Sequence, residues 1–372
     1  MDFRLSSEQD MLRDGARRFV ETTLSFDSRN TSTDDSGDLA ANTHWDQIAE
    51  LGWLMLPVPE AYNGLGGTID DVAIIAEELG RGLAREPYVE GAVLPAQLIA
   101  LGGSPEQCAA VLPELAMGTA RIAVALYEPQ RGFALTPIQT VAHRNGVGFR
   151  LSGTKLTVEG GQQATHLIIS ACLEGASELF LITSDASGLV RTDYDAVDGR
   201  KLSDYSIIDV AVDSAAQLTG AMPAEAAIAQ AVDWAIIAQC AEALGGIDKA
   251  IELTAAYLKI RQQFGQPLAN FQVLQHGLAN LFIEADEARS ITYRAMSLIN
   301  APAPERMRAV SACKVKVMAA ARVVTGKAVH YHGGIGVTTE YSVGHYLRRA
   351  LMLEQRFGNS AYHFAVLMES AG

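Results

Sequence analysis

Two short segments in the last third of the chain hold residue types suited to gripping a nucleotide. The first is Arg261-Gln262-Gln263-Phe264-Gly265-Gln266-Pro267-Leu268, followed by Phe271-Gln272. A fixed arginine forms paired, charge-assisted hydrogen bonds to a pyrophosphate. Phe264 offers a ring to flank an adenine, and Gln272 brings both a donor and an acceptor to a nucleotide edge. The second segment is His330-Tyr331-His332-Gly333-Gly334-Ile335-Gly336-Val337-Thr338-Thr339-Glu340-Tyr341. Its glycines let backbone approach a ligand without interference from a Cβ, and successive N–H groups there can cradle phosphate oxygens. Each segment also has a plainer reading: a helix-turn-helix corner with a solvated arginine, and a helix C-cap with its turn. The second is neither a GxGxxG following a strand nor a Walker loop. His330 and His332 suggest a metal pair, but no third ligand lies near them in sequence, so no metal is expected.

The elements that must position these segments follow from the pattern of breakers and apolar spacing. Ser6 with Gln9 three residues on forms a capping box ahead of Met11, Ala16, Phe19 and Val20. A second helix runs through Trp45, Ile48, Ala49 and Leu51 to Gly52, and a third covers Asp70 to Leu79, closed by Gly80. Pro57 to Gly67 is too rich in breakers to be regular. From about residue 119 short β-branched runs take over: Ile122 to Leu126, Phe149 onward, His166 to Ala171 and Glu178 to Thr183, with a hairpin signal at Asn145-Gly146. Beyond Pro223 the chain is helical again. Gly245-Gly246 are the internal breakers of its first long stretch, and Pro302 and Pro304 mark a later loop. The reading is an α+β multidomain fold: a helical N-terminal domain over 1–118, a middle β-barrel domain over 119–222 and a C-terminal four-helix bundle over 223–372. Segregated helices and strands argue against a doubly wound nucleotide-binding sheet.

Composition narrows the function classes. The 372 residues are 49% hydrophobic and 19% charged, with a net charge of -14. That balance is globular and opposes nucleic-acid binding, which needs a basic footprint. Cys108, Cys172, Cys240 and Cys313 are far apart and read as free thiols in a reducing compartment. The N-terminus lacks a signal-peptide pattern and no run of 18 apolar residues occurs, so a cytoplasmic protein without a membrane span is expected.

In this order and spacing the segments resemble the acyl-CoA dehydrogenase family over nearly the whole chain. Trp53, Pro59 to Gly67 and Glu77-Glu78-Leu79 look like its N-terminal domain, and Tyr127-Glu128-Pro129 stands where its Thr-Glu-Pro strand would be. Arg261 to Gln272 and His332 to Tyr341 look like its two C-terminal flavin motifs. The ending Arg348-Arg349-Ala350, then Phe357-Gly358, is similar to the small subunit of bacterial pimeloyl-CoA dehydrogenases and to steroid-degradation relatives. The resemblance implies the three-domain fold above, an oligomer, FAD as cofactor and α,β-dehydrogenation of an acyl-CoA thioester. It also implies electron-transfer flavoprotein as acceptor. Arg261, Phe264, Gln272, His330, Gly333 and Gly334 would serve the adenine half of a neighbouring subunit's FAD.

Several positions depart from the family's pattern. The carboxylate base of the family falls at Phe357, and the alternative base on the first C-terminal helix falls at Ala235. The nearby acids are Glu354, otherwise an exposed surface residue, and Asp233, otherwise the N-cap of a helix beginning at Trp234. In the middle domain Tyr127 and Phe133 replace hydroxyls, while Thr157 and Glu159 replace the Trp-x-Thr that flanks the flavin. His330 stands where the family has a glutamine. These departures favour a heteromeric dehydrogenase in which this chain completes the FAD site of a paralogous subunit. The competing readings are a self-sufficient homo-oligomer with a relocated carboxylate, and a flavin oxidase acting on a small non-thioester substrate.

Overall fold

The computed structural model describes residues 4–24, 26 and 37–369, with residues 37–43 described by backbone alone. The elements in chain order begin with helices α1 (Ser7–Thr22), α2 (Gly37–Glu50), α3 (Ile69–Arg81), α4 (Leu94–Gly102) and α5 (Pro105–Ala116). Strands β1 (Ile122–Ala125), β2 (Val141–Asn145), β3 (Gly148–Glu159), β4 (His166–Leu173), β5 (Ala176–Thr183), β6 (Leu189–Asp195) and β7 (Lys201–Asp213) come next. Helix α6 (Ala224–Ile260) leads into a small hairpin, β8 (Gln262–Gln263) and β9 (Gln266–Pro267). Helices α7 (Gln272–Ser297), α8 (Ala303–His332), α9 (Val343–Gln355) and α10 (Ser360–Glu369) close the chain. N-terminal helices, a curled sheet and a C-terminal helical bundle therefore follow one another as expected.

The chain divides into two compact units. One comprises residues 1–37, 69–84 and 236–372, the other residues 38–68 and 85–235. In the first unit the capping box is present: the Ser6 hydroxyl accepts from the Gln9 N–H, and the Gln9 side chain accepts from the Ser6 N–H, both at 3.1 Å. Helix α8 packs against α7, α9 and α10. A buried arginine, Arg349, spans both carboxylate oxygens of Glu242 at 2.7 and 3.0 Å.

Two expectations about glycine need correction here. Gly80 does not close α3, and Gly245-Gly246 do not interrupt α6. A Cβ on Gly80 would run into the carbonyl of Glu242, and one on Gly245 into the carbonyl of Glu77. Interior helical glycine costs about 1 kcal/mol relative to alanine. Here that cost is offset by a crossing in which backbone lies directly on backbone. Helix α6 is also, among the described residues, the one helix long and apolar enough to cross a membrane, and most of that stretch is buried inside the protein.

The second unit is built on the seven-stranded sheet, ordered β1-β4-β2-β3-β7-β6 with β5 on the other edge of β4. The β2–β3 hairpin forms at the predicted place, with Asn145 paired to Gly148. Strand β4 pairs in parallel with β1 and β2 and antiparallel with β5, and is buried almost throughout. Its apolar run is therefore continuous rather than alternating. Leu151, Leu167, Ile169, Phe180, Tyr205 and Val210 form the core, with Phe149 edge-on to Phe180 at 5.2 Å. Register shifts between Leu151 and Gly153 and between Lys155 and Val158 bend β3.

Candidate functional site

The two C-terminal segments lie together in the first unit, joined by a residue that neither contains. Tyr257 sits one turn before Arg261 on α6, and the Arg261 N–H donates to its carbonyl at 2.9 Å. The Tyr257 hydroxyl donates to the carbonyl of His332 at 3.2 Å, and its ring stacks on the His332 imidazole at 4.4 Å. The end of α6 is thus tied to the end of α8, immediately before Gly333. Tyr257 escaped the motif reading, although its place one helical turn from Arg261 was a usable signal.

Beyond Tyr257 the chain turns tightly. The Leu268 N–H donates to the Arg261 carbonyl at 2.8 Å, closing the base of the β8–β9 hairpin. Its two-residue tip is Phe264-Gly265, with φ of 52° and 81°. Positive φ at both positions suits the twist of a two-residue hairpin but normally selects asparagine, aspartate or glycine first. A phenylalanine held there, 90% exposed and edge-on to Phe271 at 6.0 Å, carries backbone strain and gains little burial in return. Arg261, Gln272 and His330 are exposed as well. The Arg261 side chain has no hydrogen-bond partner among the described residues. Gly333 has φ of 63°, and a Cβ on it or on Gly334 would meet no atom within 4 Å. An unengaged guanidinium, an outward aromatic face and bare backbone are therefore presented together.

His332 is turned away from solvent and engaged by the backbone of its own helix. Its Nδ1 faces the Ala328 carbonyl at 2.7 Å, which places the proton there, and burial lowers its pKa. The two rings part company, His330 outward and His332 inward, and no metal-binding cluster occurs among the described residues. The neutral His332 ring serves as the platform beneath Tyr257.

The positions matched to the family's base are apolar. Phe357 is 5% exposed, at φ of 53°, with the Arg356 guanidinium 5.5 Å from its ring. Its backbone is clamped from both sides. His363 Nε2 donates to the Phe357 carbonyl at 2.9 Å while its Nδ1 accepts from Ser311, and burial pulls its pKa down to about 4. The fully buried Lys314 ammonium donates to the carbonyls of Leu353 and Arg356 at 2.7 and 2.9 Å, with a pKa lowered by burial to about 8. Glu354 is half-buried rather than a surface acid. Its carboxylate accepts from the Ser360 N–H and hydroxyl at 2.9 and 3.0 Å, capping α10. Ala235 is fully buried in the second unit. Asp233, also in that unit, lies inside α6 and is 7% exposed, so the N-cap expectation is corrected. Of the two candidate acids, Glu354 is thus engaged as a helix cap and Asp233 lies within a continuous helix.

In the second unit the replaced positions form internal pairs. Glu159, 4% exposed, binds buried Arg200 at 2.7 Å. Thr157 occupies the second bulge of β3 at φ of 55°, its N–H donating to Asp204 at 2.8 Å. Glu128 accepts the N–H groups of Ile138, Gln139 and Thr140 at 3.0, 2.9 and 2.8 Å. The buried Lys155 ammonium meets the same carboxylate at 3.1 Å, and also Leu126 and Ser170. Burial pushes the Glu128 pKa up, but the three N–H bonds and Lys155 outweigh it and bring it to about 2.

Comparison with known proteins agrees with this architecture. Residues 6–119 match the family model for the acyl-CoA dehydrogenase N-terminal domain, and residues 225–372 that for its C-terminal domain. The probable acyl-CoA dehydrogenase YngJ of Bacillus subtilis is 30% identical over 97% of both chains. Among solved structures, a variant of the Tcur3481-Tcur3483 steroid ACAD is 29% identical with a TM-score of 0.88, covering 98% of this chain and 97% of that one. The ChsE4-ChsE5 complex from Mycobacterium tuberculosis shares the fold with a TM-score of 0.90 at 23% identity, covering 100% and 99%.

Proposed function

The chain belongs to the acyl-CoA dehydrogenase family of FAD-dependent oxidoreductases acting on CH–CH bonds, and from that premise we propose that it works as one subunit of a heteromeric dehydrogenase, completing the flavin site of a paralogous chain. Support comes from one contrast. The residues suited to the adenine half of FAD stand exposed and held together by Tyr257, whereas the matched base positions carry Phe357 and Ala235. The steroid dehydrogenase noted above is itself named for two chains, which accords with a paired arrangement.

FAD, when bound, supplies the acceptor for the hydride leaving the β-carbon. The residues of the first unit fit its phosphate end: open backbone at Gly333 and Gly334 would cradle phosphate oxygens, and Arg261 would fork onto the pyrophosphate. Phe264, Gln272 and His330 would flank the nucleotide. The flavin-flanking positions of the second unit fit less well, since the Glu159 carboxylate is closed onto Arg200 and offers no neutral hydroxyl. The α-proton then goes to a carboxylate of the paralogous chain. Donors aimed at the thioester oxygen supply the several kcal/mol needed to make that proton acidic. A dicarboxylic or sterol side-chain thioester is the proposed substrate class, electron-transfer flavoprotein the acceptor and the cytoplasm the location.

The visible spectrum tests the reading. The chain expressed alone is expected to be nearly colourless, and flavin and thioester-dependent bleaching to appear after co-expression with a paralogous partner. Arg261→Gln should weaken flavin retention by that complex about 10-fold or more. A lone chain that is stoichiometrically yellow and bleached by acyl-CoA would overturn the proposal in favour of the self-sufficient enzyme.

A further inference from the structure

We propose that Arg131 is an anion-binding residue that holds a phosphate or carboxylate group of the acyl thioester. It stands in the second unit and takes from the preceding proposal only the thioester class of ligand.

Residues 129–137 form a loop without regular structure whose neck is fastened by the Glu128 carboxylate onto the N–H groups of Ile138, Gln139 and Thr140. The buried Lys155 ammonium locks that carboxylate in turn. Compact loops closed at the neck are a common seat of function, and a buried ion pair is a costly way to hold one unless its position matters. Arg131 is the loop's sole charged residue. Its N–H donates to the backbone carbonyl of Glu128 and its carbonyl accepts from the Ala134 N–H, at 3.4 and 3.2 Å, so both sides of its backbone are tied. Gln130 and Gly132 on either side have φ of 57° and 58°, a strained turn that aims the residue between them.

Most arginines of this unit are spoken for. Arg121, Arg144, Arg150, Arg191 and Arg200 each pair with a carboxylate. Arg85 and Arg131 do not, among the described residues, and the Nε of each is buried without an acceptor. Of these two, Arg131 alone stands on a braced loop. An unmet buried donor is expensive, and the planar guanidinium fork matches a carboxylate or phosphate edge. A ligand oxygen would resolve the deficit.

The test is calorimetric titration of the full chain and of Arg131→Gln and Arg131→Lys with three probes: butyryl-CoA, butyryl-pantetheine and glutaryl-pantetheine. Wild type should bind at least one anionic probe more tightly than neutral butyryl-pantetheine, and Arg131→Gln should remove that preference, a loss of about 10- to 100-fold. Loss confined to butyryl-CoA assigns the phosphate, and loss confined to glutaryl-pantetheine assigns the carboxylate. Arg131→Lys should restore part of it. Equal weakening for all three probes means a merely structural loop and overturns the proposal. So does an unchanged preference, or a wild-type chain that binds none of them or prefers neither anion. Failure of flavin capture on co-expression would leave this result untouched.

Discussion

Replacing Glu128 should harm the protein more than replacing Lys155, although the two form one buried pair. Glu128→Ala strands the Lys155 ammonium with only the Leu126 carbonyl and Ser170 hydroxyl, and strips the N–H of fully buried Thr140 of its acceptor. A buried charge without its partner costs about 3–5 kcal/mol, and an orphaned buried donor about 1–3 more. Lys155→Met leaves the carboxylate with all three backbone bonds, so about 2–3 kcal/mol is expected. Urea denaturation should therefore separate the variants by about 2 kcal/mol or more. Hydrogen exchange at Ile138, Gln139 and Thr140 should accelerate in Glu128→Ala and much less in Lys155→Met. Acid supplies a second reading of the same group. Its folded-state pKa, about 2, is depressed below the ordinary 4.5. Its contribution, about 3 kcal/mol, is thus complete above pH 4.5 and lost as the pH falls toward 2. Glu128→Ala should flatten that part of the stability profile. Equal losses for the two variants, or a larger loss for Lys155→Met, would refute the idea that the carboxylate, which meets both the ammonium and the backbone N–H groups, is the more important partner.

Three further outcomes follow from the first unit. His363 has its pKa lowered to about 4, so protonation opposes folding, and stability should fall as the pH drops from 6.5 toward 4 by up to about 3 kcal/mol; His363→Gln should remove that slope in thermal melts across this window. Lys314→Met leaves the carbonyls of Leu353 and Arg356 without a donor and should cost about 2–4 kcal/mol in denaturant titration. Glu354→Gln should lower stability by about 1 kcal/mol while leaving turnover of the co-expressed complex intact, whereas a collapse in kcat with normal folding would make it the base after all.

The fold was legible where residue type and spacing carry one meaning. Ser6 with Gln9, Asn145-Gly146, and the change from helical to β-branched runs near residue 119 each have one dominant physical reading. Glycine inside a helix does not. Gly245-Gly246 look the same in sequence whether they end a helix or admit a neighbour's backbone, and only the approach of Glu77 distinguishes the two. The local settings of Asp233 and Glu354, expected as an N-cap and an exposed surface acid, were not legible because they depend on what the chain brings to each carboxylate, here an uninterrupted helix and Ser360. The motif residues from Arg261 to Gly334 were visible individually. What joins them, a tyrosine hydroxyl on a carbonyl 75 residues away, was not. Lys155 and Lys314 were equally hidden, since lysine is ordinarily solvated and nothing local marks the exceptions.

The crossing at Gly80 and Gly245 bears on how this molecule can change over time. Side-chain interfaces accommodate drift by repacking: a methyl lost here is answered by a rotamer there. Where main chain rests on main chain there is no rotamer to adjust, so a single added carbon at either position forces an entire helix to shift. Any lineage that loses one of these glycines must re-thread that junction or abandon it.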